Sequence, residues 1–218
     1  MTIGVVLFDL DGTLVDSLQD LTDAVNHMLF RFERMALNPS QVQLLVGKGA
    51  RNLVQRTLNT DSPDEINEGL AAFTAFNELH IADNSRLYPG VRELLQQLAD
   101  GGIRMAIISN KNEALSRLIL KTLAIDTYFD LIAGGDSFEE MKPSPLPLIK
   151  VITALSCTPA KAIMIGDSIN DILAGNRAGI TTIGCAWGYG DAEELRSAQY
   201  QATSLTEIIG IINCITTH

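Results

Sequence analysis

The chain has 218 residues, 46% of them hydrophobic and 19% charged, ordinary values for a soluble globular protein with one domain, or two small ones, and ample chain for a core. Its 16 Lys+Arg against 26 Asp+Glu give a formal net charge of -10, which disfavours nucleic acid and anionic membrane as partners but leaves a small phosphorylated ligand open, since local groups decide its binding. Cys157, Cys185 and Cys214 are odd in number and far apart, so they suggest neither a disulfide framework nor a paired-thiol metal site, and a reducing cytoplasm is the expected compartment.

Ile3-Gly4-Val5-Val6-Leu7-Phe8 opens the chain as an apolar, Val-rich run without a basic leader; it is too short for a signal peptide or a membrane span and reads as a buried parallel strand. Asp9 and Asp11 close it, followed at once by the turn signal Gly12-Thr13. Ligands collect beyond the carboxyl ends of such strands. Two carboxylates there repel each other and lose hydration unless positive charge is supplied, and a divalent hard cation is the simplest source.

Residues 16–87 carry helical patterns and almost no strand-like run. Leu18, Leu21, Val25, Met28 and Leu29 mark one stripe, Leu53, Val54 and Leu58 a second, and Ile66, Leu70, Phe73 and Phe76 a third. Ser17 with Asp20 resembles a capping box in which Asp replaces the usual Glu or Gln. Tyr88-Pro89-Gly90 then ends the excursion.

From Val91 onward helices and strands alternate. Residues 91–99, 113–123, 145–155 and 169–178 read as helices, and residues 103–108, 131–133, 162–165 and 181–185 as strands. This alternation predicts an α/β fold with a doubly wound, Rossmann-like parallel-sheet core, residues 1–15 and 88–218, into which an all-helical cap, residues 16–87, is inserted. The apolar tail 208–212 is too short to span a bilayer and reads as a terminal helix packed on the core. His218 is expected to be disordered.

Asp9, Ser109 and Asp167 each follow an apolar strand, so they converge on one sheet edge. The order Phe8-Asp9-Leu10-Asp11-Gly12-Thr13-Leu14, Ser109-Asn110-Lys111, Lys142-Pro143 and Gly166-Asp167-Ser168-Ile169-Asn170-Asp171 resembles the four signature segments of haloacid-dehalogenase-like phosphohydrolases. The resemblance implies that Asp9 is a nucleophile forming an aspartyl-phosphate and that Asp11 protonates the leaving alkoxide, then activates water. It further implies that Lys142 offsets charge at the nucleophile, that the Thr13 hydroxyl, the Ser109 hydroxyl and the next amide, at Asn110, bind the phosphoryl group, and that Asp9, the main-chain carbonyl of Asp11, and Asp167 hold Mg²⁺, keeping Asp9 ionised. Asp171 is expected to support the metal site through water or a neighbouring group, or to be a helix-start charge.

The basic, glycine-flanked loop Val46-Gly47-Lys48-Gly49-Ala50-Arg51 and the segment Trp187-Gly188-Tyr189-Gly190 resemble the phosphoglycolate phosphatase branch. Lys48 is the candidate for a substrate carboxylate, Arg51 a weaker one. The implied activity is Mg²⁺-dependent hydrolysis of a small phosphorylated metabolite, 2-phosphoglycolate being favoured. A β-phosphoglucomutase-like mutase, a pyrophosphatase or a sugar phosphatase of the same superfamily is the neighbouring alternative, and a phospho-Asp signalling module the non-enzymatic one. His27 and His80 lack a ligand spacing and are expected to pack or face solvent, while Trp187 and Tyr189 line the pocket or fill space.

Overall fold

Fully apolar strands need cover on both faces, and here helices supply it. The structure, a computed structural model, describes residues 2–217, so His218 lies outside it. Strand β1 (Val5–Phe8) is followed by a two-residue strand β2 (Val15–Asp16) and four helices, α1 (Leu18–Arg31), α2 (Pro39–Gln43), α3 (Gly49–Leu58) and α4 (Pro63–Leu79). Strand β3 (Arg86–Leu87) brings the chain back. Then come α5 (Val91–Asp100), β4 (Arg104–Ile108), α6 (Glu113–Thr122), β5 (Leu131–Ala133), α7 (Leu146–Ala154), β6 (Ala162–Gly166), α8 (Ile169–Ala178), β7 (Thr181–Cys185), β8 (Tyr200–Ala202) and α9 (Leu205–Thr217).

The sheet runs β5-β4-β1-β6-β7-β8 with every pair parallel. Successive strand residues point to opposite faces. Val6 and Phe8 therefore join a core with Leu94 and Leu95 of α5, Ile119 of α6 and Ile208 of α9, while Val5 and Leu7 join one with Leu148 and Val151 of α7 and Ala174 of α8. Strand order reverses at β1, which makes the crevice beyond its carboxyl end the site that open α/β sheets use for ligands.

The four helices after β2 have a core of their own, in which Val25 and Met28 meet Val42, Val54, Leu58, Ile66 and Phe73. At their base β2 and β3 form an antiparallel ribbon, Val15 opposite Leu87 and Asp16 opposite Arg86. Strands this short leave no periodicity, which is why residues 16–87 read as wholly helical. The same brevity hid α2, whose start is tied by Gln41 N donating to Asn38 Oδ1 (3.0 Å) and Asn38 N to Gln41 Oε1 (2.9 Å). The polar edge strand β8 was also unmarked. None of the described helices is long and apolar enough to cross a membrane.

The expected Ser17/Asp20 capping box does not form. Ser17 makes no side-chain cap; its hydroxyl donates instead to Asp11 Oδ1 at 2.6 Å. Asp20, buried, accepts from Asn84 N (2.9 Å), Ser85 N (2.8 Å) and Ser85 Oγ (2.6 Å), fastening the returning chain just before β3. A buried carboxylate takes the donors that desolvation leaves it, and the backbone turn at residues 84 and 85 offers more than a helix start does.

Candidate active site

Asp9 leaves the end of β1 with its amide donating to Ile165 O (2.9 Å) and its carboxylate turned into the crevice. Its Oδ1 accepts from Lys142 Nζ at 2.8 Å, and Oδ2 accepts no hydrogen bond among the described residues. Lys142, in the loop between β5 and α7, is only 3% exposed. It also donates to Asp171 Oδ1 (2.6 Å) and to the Ile108 carbonyl. Asp171 lies in the first turn of α8, fully buried, and its Oδ2 accepts from Ser168 N (3.0 Å) and Ser168 Oγ (2.8 Å).

Asp167, directly after β6, completes a cluster in which carboxylate oxygens of Asp9, Asp167 and Asp171 lie within 4.8 Å of one another. Burial and the surrounding carboxylates push Asp9 up to about 7 against the pull of Lys142, and burial with the Asp171 charge pushes Asp167 up to about 6. Burial works to lower Lys142, but the Asp171 and Asp9 charges overcome it and raise it, so it stays an ammonium. Lys142 alone does not offset the burial of Asp9 and Asp167, both of which stay raised. A cluster of hard oxygen donors short of positive charge fits a divalent cation of the Mg²⁺ kind.

Asp11 stands beside this cluster in the same cleft, its Oδ1 held by Ser17 Oγ (2.6 Å) and its Oδ2 3.4 Å from Lys111 Nζ. Between Asp9 and Asp11 on one side and Thr13 on the other, Gly12 adopts φ 88°, the left-handed region, and a side chain there would strike the Asp167 carboxylate. Ser109, at the end of β4, is nearly buried and lines the cleft; its Oγ accepts from Lys111 N (3.2 Å), which leaves its own O–H to donate.

One expected phosphoryl contact turns out differently. Thr13 is fully buried and its hydroxyl donates to Asp167 Oδ1 (2.8 Å), so it orients a carboxylate rather than facing the cleft. Asn110 lines the cleft, and its side-chain Nδ2 donates to the carbonyls of Gly47 (2.9 Å) and Lys142 (2.8 Å), joining the loop before α3 to the loop that carries Lys142. A nearby buried acceptor, Asp167 Oδ1, takes the Thr13 donor.

The helical excursion roofs the cleft, which encloses about 480 Å³. Its loop 46–51 is tied to the core where Gly47 O accepts from Asn110 Nδ2 and from Asn170 Nδ2 (3.2 Å), and Gln43 Nε2 donates to Tyr189 O (3.0 Å). Lys48 lines the cleft, exposed, with no hydrogen bond or ion pair among the described residues. Arg51 is partly used by Asn67 Oδ1 (2.8 Å).

The contacts of Lys111, Tyr189 and Trp187 were not foreseen from the sequence, where the last two were expected to line the pocket or fill space. Lys111 reaches Asp11; its adjacency to Ser109-Asn110 was the available signal. Tyr189 N donates to Asp167 Oδ2 (2.7 Å), while its hydroxyl accepts from Ser17 N (2.7 Å) and donates to Asp16 Oδ1 (3.1 Å). Trp187 Nε1 donates to Thr13 O (3.1 Å). The Trp187–Tyr189 segment thus braces the loop after β1 from behind, and Ser17 joins that brace to Asp11. His27 and His80 each stack on Phe76, at 4.5 and 4.3 Å between centroids, so they pack rather than ligate.

Residues 6–185 match the family model for haloacid dehalogenase-like hydrolases. The chain is 40% identical over 210 residues to a phosphoglycolate phosphatase of Neisseria meningitidis, covering 94% of this chain and 88% of that one. It superposes on the crystal structure of a predicted phosphoglycolate phosphatase from Haemophilus somnus with a TM-score of 0.92 at 30% identity, covering 97% and 98% of the two chains. On CbbY from Rhodobacter sphaeroides, solved in complex with phosphate, it superposes with a TM-score of 0.84 at 25% identity, covering 95% and 96%. With the four segments assembled around one buried carboxylate cluster, the chain belongs to the haloacid dehalogenase-like hydrolase family.

Proposed function

We propose that the protein hydrolyses phosphomonoesters with Mg²⁺ through an aspartyl-phosphate on Asp9, and that 2-phosphoglycolate is its preferred substrate. The observation that carries this reading is the pairing of one Asp9 oxygen with Lys142 while the other has no partner among the described residues, in a cleft that also holds Asp11 and Ser109. Asp9 Oδ2 forms a bond to phosphorus as the bond to the ester oxygen breaks, and Asp11 delivers a proton to that leaving oxygen. Asp11 then takes a proton from water, whose oxygen displaces Asp9 and releases phosphate. Ser109 and the Lys142 ammonium offset charge on the phosphoryl oxygens, with Asp171 positioning Lys142. Asp9, Asp167 and the Asp11 main-chain carbonyl would hold Mg²⁺, which when bound keeps Asp9 ionised and adds positive charge at the phosphoryl group.

Residues 16–87 act in this reading as a cap that selects the substrate tail, Lys48 pairing with a carboxylate. The relatives' names and the acidic, soluble composition favour a small metabolite of the cytoplasm as partner. Asp11 disfavours a phospho-Asp signalling module, because it supplies a base that discharges the intermediate. Phosphate release from a panel of monoesters tests the proposal. We expect Mg²⁺-dependent turnover, highest kcat/KM on 2-phosphoglycolate and none in excess EDTA; no release from any monoester with Mg²⁺ present ends it.

A further inference from the structure

Asn110 is buried where three parts of the molecule meet. It directly follows Ser109 at the end of β4. Its Nδ2 donates to the Gly47 carbonyl (2.9 Å), on the loop before α3, and to the Lys142 carbonyl (2.8 Å). Two carbonyl oxygens at one end of a carboxamide require its nitrogen there, and each of the two N–H groups then has its own acceptor. Main-chain packing holds the residue as well. A Cβ placed on Gly135 would lie 2.6 Å from the Asn110 carbonyl oxygen, and one on Gly49 would lie 3.3 Å from it. Both glycines therefore permit a close approach to Asn110, one from the core and one from the excursion.

Two acceptors fix the plane of the carboxamide. With the Gly47 carbonyl withdrawn, the plane is free to turn about its terminal torsion, which has a broad minimum, and the bond to Lys142 is no longer held in place. We infer that the Asn110 side chain is a positioning residue, which makes the alignment of the Lys142 ammonium depend on the seating of loop 46–51. The seated loop fixes the carboxamide, and the carboxamide fixes the main chain of Lys142. That main chain in turn sets where Nζ meets Asp9 Oδ1 (2.8 Å) and Asp171 Oδ1 (2.6 Å). Asn170 of α8 provides the contrast, because its Nδ2 donates to the same Gly47 carbonyl (3.2 Å) but to no atom of Lys142. It holds the loop without holding the lysine.

The inference rests on the hydrolase reading above, and a double-mutant cycle separates the two. With Mg²⁺ and 2-phosphoglycolate, Asn110→Ala, which keeps the main-chain amide after Ser109, should lower kcat roughly 10–10²-fold, the range expected when a catalytic group is misplaced by up to about 1 Å. In a Lys142→Met background the same change should lower kcat less than about twofold, because a residue that acts through an ammonium is silent once the ammonium is gone. Asn170→Ala should raise KM more than it lowers kcat, since it loosens the loop alone. Should circular dichroism show Asn110→Ala unfolded, Asn110→Asp, nearly the same size, takes its place in the cycle by setting an oxygen against both carbonyls. Losses that multiply across the cycle overturn the coupling and leave the hydrolase reading standing. Equal kcat losses from the Asn110 and Asn170 variants do the same, because they reduce Asn110 to a loop fastener. No turnover of any ester by the wild-type enzyme overturns both readings.

Discussion

Replacing Lys142 by Met removes the one ammonium bonded to Asp9 and Asp171 while keeping most of the side chain's volume. Asp9, Asp167 and Asp171 then share a buried site with no cation of the chain in contact with Asp9. Breaking a buried ion pair from one side costs about 3–5 kcal/mol, most of it the penalty of the stranded charge. For a chain of this length that corresponds to a fall in Tm of roughly 6–20 °C. The sign of its pH dependence follows from where the protons go. A carboxyl raised in the folded state, as Asp9 is to about 7 even with Lys142 present, binds more protons folded than unfolded between its unfolded value near 4 and its folded value, so stability is lost as pH rises through that window. The variant should therefore lie furthest below wild type at about pH 8 and recover much of the gap by about pH 5. Thermal unfolding followed by circular dichroism in EDTA at the two pH values gives the comparison. Added Mg²⁺ should narrow the gap at the higher pH, and kcat should still be down roughly 10²–10³-fold for want of a preorganised donor. A loss below about 1 kcal/mol at high pH, or one equal at both pH values, refutes the electrostatic account of the cluster.

Asp9→Asn should abolish turnover, and acid quench with labelled substrate should trap no phosphoprotein; a tenth of wild-type activity in protein free of deamidation contradicts the nucleophile. Because protons compete for Asp9, at about 7, and Asp167, at about 6, Mg²⁺ affinity measured by calorimetry should fall as pH drops through that range, and an affinity flat with pH counts against those ligands. Lys48→Ala should lower kcat/KM on 2-phosphoglycolate roughly ten- to hundredfold, the worth of a charge-assisted hydrogen bond, and much less on ethyl phosphate; equal losses move Lys48 from tail recognition to general closure. Tyr189→Phe leaves the Ser17 amide without its acceptor and should cost about 1–3 kcal/mol in urea unfolding; an unchanged midpoint shows the brace to be idle.

Strands β1, β4 and β6 were legible because burial on both faces makes them continuous apolar runs, and the residues at their ends could be placed on one sheet edge from that alone. What escaped was short or partnered at long range. The ribbon has two residues per strand, too few for a period, and β8 is exposed at Tyr200 and Gln201, so it makes no apolar run. Thr13 meets Asp167 across 154 residues of sequence and Tyr189 meets Ser17 across 172, so the direction of the threonine hydroxyl and the source of the brace are fixed only by the fold. Ser17 and Asp20 had the spacing of a cap, and nonlocal partners with better geometry outcompeted it.

The ribbon at the base of the four helices has a consequence for how such a protein changes. Val15 and Leu87 stand opposite each other, so the chain departs from the sheet and rejoins it at a single place. No residue between them takes part in the pairing of β1 with β4 or β6. Insertions are tolerated where the two ends already meet, because the strands on either side need not be re-registered. In the proposed reading, exchanging these helices would change which molecule is admitted while Asp9, Asp167 and Asp171, all outside the excursion, are inherited as they stand.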